Sequence, residues 1–112
     1  MPRTAKKPDV TRQIAAMVRR IVRKFHPEKI ILFGSYARGD AGPNSDVDLL
    51  VVMPVEGSKR EKRLEIRRAL RGCRRPFDII VTGPEDFAWR KNVVGTIEWP
   101  ADKEGKVVYV RR

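Results

Sequence analysis

Cysteine is almost missing from this sequence. Cys73 is the only one in 112 residues, so no disulfide can form within the chain, and a reducing cytoplasm is the expected setting. Histidine is equally scarce. With His26 alone, the chain has too few thiol and imidazole ligands for a zinc centre. His26 reads as a helix C-terminal residue favoured by the dipole, not as a base. No apolar run approaches the roughly 20 residues needed to span a bilayer, and no signal-peptide pattern is present. At this length one domain is expected, with a single sheet and no room for a second domain. Aromatic residues make up 7%. None is interleaved with the basic run 59–75 apart from the residues that follow it, which counts against stacking of single-stranded nucleic acid.

What the chain has in excess is positive charge. Lys and Arg total 25 against 14 acids, for a net charge of +11. Residues 1–29 carry nine Lys/Arg and two acids, and residues 59–75 repeat those numbers. Residues 30–58 reverse the balance, with Arg38 against Asp40, Asp46, Asp48 and Glu56. An acidic stretch therefore lies between two basic ones, a field suited to ATP, nucleic acid or an acidic partner.

Residues 1–8 read as a basic flexible arm and 9–112 as the domain. Asp9 is placed to cap a helix over 10–25, where Val10, Ile14, Met17, Val18, Ile21 and Phe25 recur at helical spacing. An apolar strand over 29–33 follows, then a second over 46–53, ended by Pro54. Ser58 with Glu61 forms a capping-box pattern for a basic helix over 59–71, which Gly72 stops. Leu64, Ile66, Ala69, Leu70 and Cys73 form its thin apolar stripe. Its cationic face reads as a solvated surface, with docking of RNA or an acidic protein as the alternative. A third strand spans 77–82. Pro84 opens another helix, with Phe87 and Trp89 expected to pack on the sheet. An imperfect helix near 93–102, interrupted at Pro100, and a final strand over 106–110 complete the chain. Trp99 is expected in the core.

The stretch from Lys29 to Met53 carries the chemistry. An apolar strand ends in Gly34-Ser35, a short turn and a Gly/Pro/Asn loop follow, and the next strand opens with Asp46 and Asp48. Alternating residues of a strand face the same way, with Cα atoms roughly 6.5–7 Å apart. Two carboxylates so placed repel each other by about 3 kcal/mol at an effective dielectric near 20. A cation between them relieves this, and hard oxygen ligands select Mg²⁺, with Mn²⁺ as a substitute. Gly34 lets a phosphate approach the backbone. Ser35 would begin a short helix whose free N–H groups face an anion. Asp78 stands near the start of an otherwise apolar strand and needs a partner, which the same cation site would supply. Three carboxylates suit a two-metal arrangement. Arg38 is placed either to touch a phosphate or to buttress a carboxylate. Ser45 caps or orients the loop.

Gly34-Ser35, ten residues, then Asp46-x-Asp48, within Leu32-Phe33-Gly34-Ser35-Tyr36-Ala37-Arg38-Gly39 and Ser45-Asp46-Val47-Asp48-Leu49-Leu50-Val51, resembles the DNA polymerase β-type nucleotidyltransferase superfamily. Within it the chain resembles the minimal nucleotidyltransferase branch of bacteria and archaea, from about His26 to Tyr109. The resemblance implies an α/β (α+β) fold, a small mixed sheet covered by helices mainly on one face. It implies metal-dependent transfer of a nucleoside monophosphate, AMP from ATP, to a hydroxyl with release of pyrophosphate. Asp46, Asp48 and Asp78 would be the catalytic metal ligands, for two Mg²⁺ ions. Gly34, Ser35, Arg38 and Ser45 would hold the nucleotide phosphates. It further implies a helical HEPN-type partner protein, with the transferase acting as an antitoxin that adenylylates it. A small-molecule hydroxyl, an RNA end reached through the basic helices, and a non-catalytic RNA-binding module are the alternatives. Larger relatives carry a helical domain that this chain lacks, so a partner or a second copy would complete the site.

Overall fold

The computed structural model describes residues 10–112. The arm and the Asp9 cap lie outside them. The elements are α1 (Val10–Phe25), β1 (Lys29–Phe33), α2 (Ser35–Arg38), β2 (Val47–Val52), α3 (Lys59–Ala69), β3 (Phe77–Thr82), α4 (Pro84–Arg90), α5 (Glu98–Glu104) and β4 (Lys106–Val110). The strands form one mixed sheet in the order β3-β2-β1-β4. β1 is antiparallel to β2 and β4, and β2 is parallel to β3, with α3 as the crossover.

Strand alternation divides the sheet into two faces. Ile30, Leu32, Leu49, Val51 and Ile79 meet Ile14, Met17, Val18 and Ile21 of α1 and Ile66 of α3, with Leu70 just beyond it, in the larger core. Ile31, Phe33, Leu50 and Val52 face the other way, against Phe87 of α4 and Ala101 of α5. The two long helices thus cover one face, and two short ones cover part of the other. Each fully buried side chain of this kind contributes about 1.5–3 kcal/mol.

Local signals explain the boundaries. α1 ends at Phe25, with His26 in the left-handed region at φ 52 and Pro27 buried behind it. Ser58 Oγ accepts the Glu61 N–H at 3.2 Å, and Gly72 turns the chain after α3 at φ 93. Arg20 of α1 donates to the carbonyl of Arg71 at 2.9 Å, tying α1 to the end of α3.

Three expectations change. Pro100 does not interrupt the last helix; α5 begins at Glu98 and holds Pro100 in its first turn, where a missing N–H costs nothing. Leu64 is 40% exposed, while Ile66 and Leu70 of that stripe are buried and Cys73 packs against the core. Trp89 is 56% exposed while Phe87 is buried: two residues apart on a helix, they face different ways.

Candidate active site

Gly34 is the corner on which the site turns. Its φ of 76 and ψ of −155 fall in a region that is essentially glycine-only. A Cβ there would also overlap the Asp48 carboxylate. The Gly34 carbonyl accepts the N–H groups of Ala37 and Arg38, both at 3.0 Å, which closes the single turn α2. Ser35 is therefore the first helical residue directly after the corner. Gly39, at φ 90, ends the turn.

β2 and β3 set the carboxylates. Asp48 lies beside Asp78 in parallel register and opposite Phe33 on β1. Both aspartates therefore emerge on the sheet face that carries Leu50 and Val52. Asp46 is exposed, just before β2 begins. Asp48 is half-buried, and its carboxyl is held above its ordinary value. Burial is the main cause, then the charges of Asp78 and Asp46, with Arg38 pulling the other way. The sheet thus gathers negative charge around Asp48 without a neutralising partner of equal strength.

Of the cations nearby, Arg38 is committed elsewhere and Arg63 reaches the site. Arg38 donates to Asp40 at 3.3 Å and lies 3.8 Å from Glu104. Arg63 of α3 lies 3.7 Å from the Asp78 carboxylate, an exposed and weak pair. Ser45 Oγ accepts the Gly42 N–H at 2.8 Å, which fixes the loop ahead of Asp46.

A metal must be tested against this donor set. Among the described residues, no three His, Cys, Asp or Glu side chains are drawn together tightly enough to hold an ion by themselves. The chemistry of the donors nevertheless fits Mg²⁺, which takes one or two carboxylates and completes its shell with phosphate oxygens and water. A carboxylate disfavoured by burial and by the like charges beside it is a place where a cation would be stabilised. The residues fit a substrate-completed site, not a preformed cage.

One supporting contact carries no sequence signal. Arg75 donates to Gln13 of α1 at 2.6 Å and to the Tyr36 hydroxyl of α2 at 2.8 Å. The carbonyl of the next residue, Pro76, accepts the Val47 N–H at 2.9 Å. Arg75 therefore ties the turn after Gly34 to the start of both carboxylate strands. Arg63 was likewise not singled out by the sequence, since nothing in a run of nine cations marks the one that reaches a strand.

The mixed sheet with its glycine corner is that of a nucleotidyltransferase domain. The chain belongs to the nucleotidyltransferase domain family, whose model matches residues 14–104. Among curated proteins it is similar to MJ0141 of Methanocaldococcus jannaschii, provisionally named a protein adenylyltransferase. The two are 40% identical over 55 residues, 49% of this chain and 54% of that protein. MJ0604 of the same organism, with the same provisional name, is 62% identical over 29 residues, 26% of this chain and 29% of that protein. The matches thus span about half of the first relative and under a third of the second. Among solved structures, a provisionally identified nucleotidyltransferase from Sulfolobus solfataricus superposes with a TM-score of 0.63 at 24% identity, covering 96% of this chain and 91% of that one. A toxin–antitoxin structure with AMP-PNP superposes with a TM-score of 0.60 at 18% identity, covering 88% of this chain and 74% of that one. These likenesses establish the fold. No helix among the described residues is long and apolar enough to cross a membrane.

Proposed function

We propose that this chain transfers AMP from ATP to a hydroxyl on a partner protein, releasing pyrophosphate. The Gly34 backbone and the Ser35 hydroxyl hold the β- and γ-phosphates. Ser45 and Arg38 keep the loop and the neighbouring charge in place beside them. Asp46 and Asp48 would hold the divalent cations, Mg²⁺ by the hardness of their oxygens, with Asp78 sharing the ion nearer the acceptor. The bound metal supplies charge neutralisation at the α-phosphate and a more acidic acceptor hydroxyl. Asp78 receives the proton of that hydroxyl. The acceptor oxygen bonds to the α-phosphorus, the bond to the bridging oxygen breaks, and pyrophosphate leaves. Such a reaction depends on positioning and electrostatics, with little covalent work for the protein.

The observation that carries this reading is the side-by-side placement of Asp48 and Asp78 against a corner that only glycine fits. The provisional names of the two archaeal relatives support a protein acceptor. The toxin–antitoxin neighbours support a partner chain, for which a HEPN-type protein is our candidate. The test incubates the full-length protein with α-labelled ATP and Mg²⁺, beside the polypeptide encoded next to it and total RNA. Label on the polypeptide is expected. Label confined to RNA would replace the protein acceptor. No label on anything, with no binding of ATP, would overturn the enzymatic reading.

A further inference from the structure

A large groove lies away from the carboxylates. It lies between α1 and the edge strand β4 and measures about 910 Å³. Two rows of α1 explain it. Met17 and Ile21 are sealed against the sheet, at 3% and 0% exposure. The row Val10, Ile14, Val18 and Val22, spaced by four, lines the groove. Ile14 and Val18 are buried at its floor, while Val10 and Val22 are half-buried beside β4.

β4 supplies the opposite wall through a bulge. Tyr109 pairs with Ile30 and Val107 with Ile31, so Val108 is an extra residue in the ladder. Bulges re-aim side chains, and Val108 joins Tyr109 in lining the groove. A bulged edge is also a poor template for an added strand. The groove therefore suits the side chains of a docked helix, not a strand extending the sheet.

Charge selects the kind of helix. Arg19, Arg23 and Lys106 border the groove, and no acid among the described residues lines it. α1 as a whole has five Lys/Arg and no Asp or Glu. A second copy of the chain would bring cations against cations. Residues 1–9 would do the same, with Arg3, Lys6 and Lys7 against Asp9 alone. We propose that the α1–β4 groove binds an amphipathic helix of a partner protein, apolar along one stripe and acidic on its flanks. Tyr36 lines the groove and its hydroxyl is held by Arg75. A helix docked there would thus lie beside the turn that follows Gly34. The proposal does not rest on the transfer reaction, since binding is read without nucleotide.

The experiment selects from a displayed library of helical peptides against the full-length chain. Enriched peptides are then synthesised and their affinity measured by fluorescence anisotropy. Peptides with apolar residues at i, i+4 and i+7 and Asp or Glu beside them are expected. Ala15→Glu, at an exposed position of the groove wall, and the pair Arg19→Glu with Arg23→Glu should each weaken binding about tenfold or more. Circular dichroism checks that the variants remain folded. Arg67→Glu with Arg68→Glu, on the exposed face of α3, should leave the affinity unchanged. No enrichment, enriched peptides without acids, or affinity that survives the groove variants would overturn the proposal. So would tighter binding of an RNA oligomer or anionic vesicles than of any peptide, or self-association abolished by Ala15→Glu.

Discussion

Two acidic groups lie at opposite ends of the same sheet, and they are treated in opposite ways. Glu98 of α5 is 3% exposed. Its carboxylate accepts the Thr82 hydroxyl at 2.7 Å and the Arg90 Nε–H at 3.3 Å, so burial is matched by partners. Asp48, near the start of β2, is half-buried, and burial first and then the charges of Asp78 and Asp46 disfavour its ionised form. A satisfied buried acid serves the fold. An acid held against its own electrostatics needs a reason outside the fold, and the proposed cation and triphosphate would supply one.

The comparison is broken most severely at its active end. Asp48→Ala should lower Mg²⁺-dependent AMP transfer about a thousandfold or more, as loss of a directly acting electrostatic group does. The α-label assay reads this, and retention of most activity would remove Asp48 from the site. At the structural end, Glu98→Ala leaves the Thr82 hydroxyl and Arg90 without their acceptor. Urea unfolding should show a loss of about 2–3 kcal/mol, with turnover per folded molecule unchanged. Gly34→Ala joins the two ends of the argument. It should cost about 2 kcal/mol through backbone strain and also weaken ATP binding, which titration calorimetry separates from unfolding.

A smaller and opposite effect sharpens the contrast. A carboxyl whose folded pKa is raised destabilises the protein once ionised. Below its ordinary value of 3.8 both states are protonated and the penalty is absent. The penalty grows as pH rises through that value and is complete above the folded one. Without metal, Asp48→Asn should therefore raise the unfolding free energy at neutral pH, by less than about 1 kcal/mol given solvent screening, and the gain, read by urea unfolding, should vanish near pH 3. The least effect is expected at Asp86, exposed and bonded to Lys59 at 2.8 Å. Asp86→Asn should leave the urea midpoint within error in ordinary buffer.

Much of this arrangement was legible in the residues. The period-four stripe of α1, the apolar strands and the Ser58 cap each announced themselves locally. The corner and the two alternating aspartates pointed to a candidate site because glycine-only geometry and like-charge spacing are properties of short segments. Contacts made at long range were not legible. Arg75 reaches Gln13 and Tyr36 across 62 and 39 residues. The bulge at Val108 depends on the register of β1, and the outward turn of Trp89 on how α4 lies against β2. Pro100 misled because its meaning changes with its place in a helix, which the sequence does not mark.

The mixed pairing of β2 bears on how the protein becomes competent. Asp48 meets Phe33 from 15 positions back and Asp78 from 30 positions on. Closing the shorter loop is the less demanding step in entropy. The hairpin of β1 and β2 therefore carries the glycine corner and two acids as a local unit. The third acid arrives only when α3 has crossed over and delivered β3. A chain whose β3 has not docked lacks the third acid, so the pairing of β2 with β3 completes the proposed site as well as the sheet.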